Sequence, residues 1–439
     1  MSRFRKSFCL ATACLGAWAV AYAQPYELHV EIDRDPAVYA AGETAKVFVR
    51  ITQDGKAVGG KTARCSWNYG NSNTVTIAES GTTLELTLNR PGQVMLRGDL
   101  YDGTNCLMGV DRKGRPAALI IWAGAVFSPE RLSIERKRPD DFDAYWDGEV
   151  AEMKRRVPLE PSLVRREKAP AAKGFVAWNV EIPCCPRPAC AYLSMPEGAK
   201  KGSLPAVVMF QGYGASQSVH EFVTNGLFVC VNPHGFGNAR PAADWSRFLT
   251  NEGNRYEYRG WESRDSCFFH GQILRAVRAL EWVKTLPEWD GRNLAVKGVS
   301  MGGSQSLQAA ALDKDVTLCV PRDPAMCDHA GILSDPPHRS GWPWILANPR
   351  NLPAVLGYGP VDPVTLAVSD YYDNVFFAER ITCPVYMSTG FSDDVCFSEG
   401  VYKAYNALKG PKQIETNPYN GHCATYNRAG ERKLLNQER

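Results

Sequence analysis

The chain has 439 residues, 44% hydrophobic and 22% charged, an ordinary globular composition with room for more than one core. Three of its basic residues, Arg3, Arg5 and Lys6, stand at the extreme N-terminus, and beyond them basic and acidic groups balance at 47 each. That balance excludes nucleic acid and an anionic membrane surface as expected partners.

Taken in chain order, the first residues read as a secretory leader. A basic start is followed by the apolar run Phe8 to Val20, and Ala21-Tyr22-Ala23 forms a small-x-small cleavage site, so residues 1–23 are expected to leave. The mature chain is expected to be secreted or periplasmic. No later stretch is long and apolar enough to span a bilayer. Of the 14 cysteines, Cys9 and Cys14 go with the leader, and the others enter an oxidising compartment, where bridges among them are expected.

Residues 24–126 show short alternating segments such as Ala45-Lys46-Val47-Phe48-Val49-Arg50-Ile51 and Leu84-Glu85-Leu86-Thr87-Leu88. Turn signals separate them, including Asp54-Gly55, Gly59-Gly60 and Pro91-Gly92. The spacing predicts an immunoglobulin-like β-sandwich that packs on the next domain, with Cys65 and Cys106 placed to staple its two sheets. From 127 to 439 the pattern changes. Asp140 opens a helix in which Phe142, Tyr145, Trp146 and Met153 recur at helical spacing, and beyond it strands alternate with helices. Phe175 to Ile182, Ala206 to Phe210, Leu227 to Val231, Leu294 to Val299, Val316 to Val320, Pro384 to Thr389 and Lys412 to Thr416 read as strands. Ile273, Val277, Leu280 and Val283 mark the best amphipathic helix. Such alternation predicts an α/β domain with a mostly parallel sheet covered on both faces. Asp328 to Asp370, rich in Pro, Gly and Trp, reads as a cap over the carboxyl edge of that sheet.

The chemistry centres on Gly298-Val299-Ser300-Met301-Gly302-Gly303, which stands between a strand and a small-residue helix pattern. Strand, glycine-bounded corner and helix make the setting of a nucleophile elbow, with Ser300 exposed at the sheet edge. A serine hydroxyl needs a base to take its proton and a carboxylate to orient that base, and in this arrangement they follow in the order acid, then histidine. Of seven histidines only His422 lies beyond the last strand. The acid comes from Gly390-Phe391-Ser392-Asp393-Asp394, where either aspartate fits. The oxyanion hole is assigned to the N–H groups of Met301, after the nucleophile, and of Tyr213 in Gln211-Gly212-Tyr213-Gly214. Trp245, Trp261, Trp342 and Trp344 fall in loops near the sheet edge, and of these Trp261, Trp342 and Trp344 are the candidate substrate contacts. Cys184-Cys185-Pro186-Arg187-Pro188-Ala189-Cys190 has no histidine nearby, which argues against zinc. The mechanism requires no metal or other cofactor.

Arg138-Pro139-Asp140-Asp141-Phe142-Asp143, Gln211-Gly212-Tyr213, Ala276 to Glu281, Gly298 to Gly303, Cys383 to Asp393 and Asn417 to His422 together resemble the acetyl xylan esterases and cephalosporin C deacetylases. The resemblance runs from Arg138 to the C-terminus. It implies an α/β-hydrolase fold and removal of acetyl groups from a carbohydrate, and its pattern places the acid at Asp393. Three positions depart from the family pattern. His234-Gly235-Phe236 stands for Arg-Gly-Gln, Met301 for a glutamine, and His422-Cys423 for His-Glu. The rival readings are a peptidase of the prolyl oligopeptidase type, whose repeated propeller blades this chain lacks, and a glycan-binding protein with an inactive hydrolase domain.

Overall fold

The computed structural model describes residues 25–67, 71–111, 113–214, 216–253, 255–331, 345–346 and 361–437. The leader at 1–23, most of the segment read as a cap, and Trp342 and Trp344 lie outside the described residues.

The period-two pattern of the N-terminal region folds into two sheets. β3 (Thr44–Gln53) buries Ala45, Val47, Val49 and Ile51 and turns Lys46, Phe48 and Arg50 outward. It pairs antiparallel with β1 (Tyr26–Ile32), β4 (Lys56–Ala57) and β7 (Thr82–Thr87). The second sheet runs β2 (Val38–Tyr39), β12 (Ile120–Phe127), β8 (Gly92–Asp102), β5 (Lys61–Trp67), β6 (Ser72–Ile77), with β9 (Asn105–Cys106) folded back on β8. β10 (Met108–Val110) and β11 (Pro116–Ala118) form a separate hairpin. Val47 and Leu86 from one sheet meet Cys65, Leu96 and Ile121 from the other in a single core.

The expected staple is corrected by this topology. Cys65 on β5 and Cys106 on β9 flank the same strand, β8, so both belong to one sheet and cannot join two. All twelve described cysteines are unbridged.

The larger sheet has nine strands in the order β13 (Arg165–Lys168), β14 (Phe175–Ile182), β15 (Ala189–Pro196), β17 (Leu227–Val231), β16 (Leu204–Phe210), β18 (Trp289–Val299), β19 (Leu318–Arg322), β20 (Val385–Gly390), β21 (Lys412–Asn417). From β17 to β21 all pairs are parallel, and the three pairs from β13 to β17 are antiparallel. Sequence reading passed over two strands. β15 is buried throughout its first seven positions and shows no alternation, and β13 is an exposed Arg-Arg-Glu-Lys edge held by its pairing with β14. Helices flank the sheet, among them α1 (Phe142–Arg156), α2 (Ala242–Asn251), α3 (Phe268–Val283) and α4 (Met301–Leu312). The residue at the N-cap of α1 is Asp141 and not Asp140, whose carboxylate pairs with exposed Lys137. α3 is buried on almost every side, Arg275 and Arg278 included. Among the described residues no helix is long and apolar enough to cross a membrane.

The two-sheet region is seated on the loops that leave β20 and β21. Gly124 on β12 donates its N–H to the Pro418 carbonyl at 2.8 Å, and Gln93 on β8 donates from Nε2 to the Phe391 carbonyl at 2.8 Å. The Ile32 N–H donates to Tyr419 Oη at 2.9 Å. Phe391 is itself buried in the sandwich core. A methyl group on Gly124 would lie 1.9 Å from the Phe391 carbonyl oxygen, so this contact is backbone on backbone and admits only glycine.

Candidate active site

Ser300 sits at the corner between β18 and α4 with φ 58° and ψ −120°, a region that side chains rarely occupy. The corner is held by its own backbone, since the Ser300 N–H donates to the Arg322 carbonyl at 2.9 Å and the Ser300 carbonyl accepts from Ala325 at 3.0 Å. Its glycines answer to close packing. A Cβ on Gly298 would stand 2.3 Å from Gly302 backbone atoms, and one on Gly302 would stand 2.1 Å from the Phe210 carbonyl oxygen. α4 thereby lies directly against β16 and β18.

The loops after β20 and β21 bring the other two groups to Ser300. Asp393 is fully buried, and its Oδ1 accepts from the Val395 and Cys396 N–H groups at 2.8 Å each. Its Oδ2 accepts from His422 Nδ1 at 2.8 Å, and His422 Nε2 accepts the Ser300 hydroxyl at 3.0 Å. A carboxylate on Nδ1 fixes the tautomer that leaves Nε2 bare toward Ser300. Asp394 is exposed. The His422 loop is fastened by Arg322, which donates to the Cys423 and Thr425 carbonyls at 2.9 and 3.2 Å. Burial is the largest single influence and opposes a charge on His422, but hydrogen bonding to Asp393, Cys396 and Cys423 together outweighs it and the imidazole pKa is raised.

Met301 is the first residue of α4, so its N–H belongs to the helix-start donors that have no intrahelical acceptor. The 212–214 loop is bound to it through Tyr256, whose hydroxyl accepts from the Gly214 N–H at 3.2 Å and meets Met301 Sδ at 3.5 Å. Tyr213 stacks on Tyr256 and donates its hydroxyl to Glu257 at 3.1 Å. Gly212, Tyr213, Glu257, Val395 and Cys423 line, with Ser300 and His422, a cavity of about 530 Å³. Trp261 is not among those lining residues. It packs half-buried against the core of the large sheet.

Two groups here, Glu257 and Asp323, escaped the sequence reading. Glu257 carries no motif, because only the folding of the 255–258 turn toward Tyr213 makes it part of the wall. Cys396 and Cys423, which the sequence sets three residues after the acid and directly after the base as candidates for a bridge, are both unbridged, Cys396 buried beside His422 and Cys423 exposed at φ 61°. Asp323 did leave a signal, since it follows the strand Leu318–Arg322 at the same sheet edge as Ser300 and Asp393. It is fully buried, its Oδ1 accepts from the Gly390 N–H at 3.2 Å, and its Oδ2 has no partner.

Burial first, and then the nearby Asp393 charge, push the Asp323 carboxyl up to about 7 from 3.8. A carboxyl raised in this way contributes its full stability below about pH 4, and that contribution is lost as pH rises through about 7. Three pH units correspond to roughly 4 kcal/mol. Asp323→Asn, which keeps the acceptor and removes the charge, should therefore gain on the wild type between pH 4 and pH 8. Urea midpoints at the two pH values test this, and an equal difference at both would discard the raised carboxyl.

The acetyl xylan esterase (AXE1) family matches residues 131–341 and 359–436 of the chain. Acetyl esterase Axe7A of Xylanibacter ruminicola is 29% identical over 435 residues, which cover 94% of this chain and 91% of that protein. Among solved structures, acetyl xylan esterase 1 of a Thermoanaerobacterium species superposes with a TM-score of 0.56 at 23% identity, covering 71% of this chain and 96% of the other. An acetyl xylan esterase of a Paenibacillus species gives 0.56 at 22% identity, covering 70% and 98%. These two share the α/β fold of the larger sheet.

Proposed function

Since the chain belongs to the acetyl xylan esterase family and is a carboxylic-ester hydrolase, we propose that it removes acetyl groups from acetylated oligo- or polysaccharides through an acetyl-enzyme on Ser300. The observation that carries this reading is the unbroken hydrogen-bond series from Asp393 through His422 to Ser300. Ser300 Oγ attacks the acetyl carbonyl as His422 Nε2 takes its proton. The N–H groups of Met301 and Tyr213 receive the developing oxyanion, each worth on the order of 10²- to 10³-fold in rate. His422 then returns the proton to the sugar oxygen, and a water activated by the same nitrogen releases acetate. Asp393 orients the ring and stabilises its charge while the proton is held.

The chain is further read as a leader at 1–23, an immunoglobulin-like sandwich at 24–126 and an α/β-hydrolase domain at 127–439. The family match starting at residue 131 supports the second boundary, and the basic and apolar start of the sequence supports export.

Acyl selectivity tests the reading. Tyr213 and Val395 line the cavity beside Ser300, so each added methylene has to find apolar space or clash, a difference of roughly 1–3 kcal/mol per group. Initial rates on p-nitrophenyl esters should be highest for acetate and fall by butyrate, with EDTA without effect and acetate released from acetylated xylan oligosaccharides. Preference for octanoate would replace the reading with a lipase-like pocket. Peptide cleavage without acetate release would replace it with a peptidase.

A further inference from the structure

A second cleft, of about 360 Å³, opens beside His234 and the start of α3. Its wall includes Arg275, 3% exposed, whose Nη2 donates to the Pro233 carbonyl and whose Nε–H has no acceptor. No carboxylate among the described residues pairs with this buried guanidinium, and burial lowers its pKa to about 10. A buried cation without a counter-charge is costly, and an anion in the cleft removes that cost.

His234, 2% exposed, lines the same cleft. Its Nε2–H donates to the Gly214 carbonyl at 3.0 Å, so its Nδ1, which has no partner, presents a lone pair. Burial, with smaller contributions from the charges of Arg275, Arg187 and Arg259, holds its pKa down to about 4, which keeps the ring neutral. The acidic groups of the wall are engaged or lie at its mouth. Glu252 pairs with Arg187, and Asp265 lies 3.8 Å from Arg264. His270 is bonded to Glu149 at 2.8 Å. The wall of the cleft thus holds a guanidinium and a neutral imidazole, each buried and each with one nitrogen that has no hydrogen-bond partner.

We propose that this cleft is a second binding site, for a small carboxylate that also bears a hydroxyl, its carboxylate against Arg275 and its hydroxyl donating to His234 Nδ1. The same His234 holds the Gly214 carbonyl, so the ligand sits one hydrogen bond from the loop that borders the Ser300 cavity. The site does not depend on the chemistry assigned to Ser300, because none of its residues lines that cavity.

Isothermal titration of the full chain with glycolate, D-glucuronate, acetate and D-glucose tests the proposal. Glycolate or glucuronate should bind saturably, with acetate, which lacks the hydroxyl, and glucose, which lacks the charge, weaker by about 10-fold or more. Tighter binding of glucuronate identifies a sugar acid as the source of the carboxylate, and tighter binding of glycolate identifies a free hydroxy acid. Arg275→Lys, which loses the Nε–H, should weaken binding by a similar factor. Arg187→Ala, at the half-exposed mouth, tests the same field without touching the core should the buried variant fail to fold. Absence of saturable binding by either hydroxy acid, equal binding of acetate and glycolate, or unchanged binding in Arg187→Ala would overturn the site.

Discussion

Ser300→Ala and His422→Ala should each lower kcat for acetyl ester hydrolysis by about 10⁴-fold or more, because members of a proton-transfer series act as a unit. Neither change should unfold the chain. The Ser300 corner is held by its backbone bonds to Arg322 and Ala325, and the His422 loop is fastened by Arg322 through main-chain carbonyls, so the side chains removed are not what secures them. Asp393→Asn should also cost about 10⁴-fold, since an amide in place of the carboxylate supports the wrong tautomer of His422. It should move the acid limb of the kcat/KM profile to lower pH as well. The hydrogen bond to Asp393 raises the His422 pKa, activity needs the neutral ring, and removal of that bond lets the ring lose its proton earlier. Asp394→Asn, on an exposed side chain, should leave both quantities near the wild type. Steady-state rates and melting curves on the four variants decide the matter, and greater damage from Asp394→Asn than from Asp393→Asn would reject the assignment of the acid.

Gly124→Val should damage activity from outside the hydrolase sheet. Any Cβ at this position lands 1.9 Å from the Phe391 carbonyl oxygen, and backbone cannot yield as a side chain does. Either β12 withdraws, breaking the bonds from Gly124 to Pro418 and from Gln93 to Phe391, or the 390–394 loop moves and carries Asp393 with it. A displacement of about 1 Å at such a group costs on the order of 10²-fold in rate. Overpacking adds a stability loss of roughly 1–3 kcal/mol. Gly148→Ala is the control, because the new methyl meets nothing within 4 Å on the exposed side of α1 and should stabilise the helix by up to about 1 kcal/mol. If Gly124→Val matched the control in rate and melting temperature, the sandwich would be a passenger with no part in holding the acid and base loops.

The strands of the large sheet could be read because a parallel core strand is a short apolar run ended by turn residues, and the runs at Leu227 to Val231 and Pro384 to Thr389 recur in the structure almost to the residue. β13 could not, because an exposed charged edge carries neither an apolar run nor alternation, whereas β15 was passed over although Ala189 to Leu193 carries the same buried apolar signal. The disulfide expectation failed for a related reason. A compartment and a cysteine count say nothing of which strand lies between two sulfurs, and β8 lies between Cys65 and Cys106.

The sequence by itself determined the order of the elements, the corner at Ser300, and the arrival of an acid and a histidine after later strands, because each depends on residues adjacent in the chain. Only the tertiary structure decided what surrounds them. Asp323 comes within reach of Asp393 because β19 and β20 are neighbours in the sheet, and Glu257 joins the cavity wall because the 255–258 turn folds over Tyr213. Gly124 reaches Phe391 across the seam between the two halves of the molecule. Each is a contact between positions far apart along the chain, set by which strands pair and how closely backbones approach, and no local periodicity or spacing encodes that.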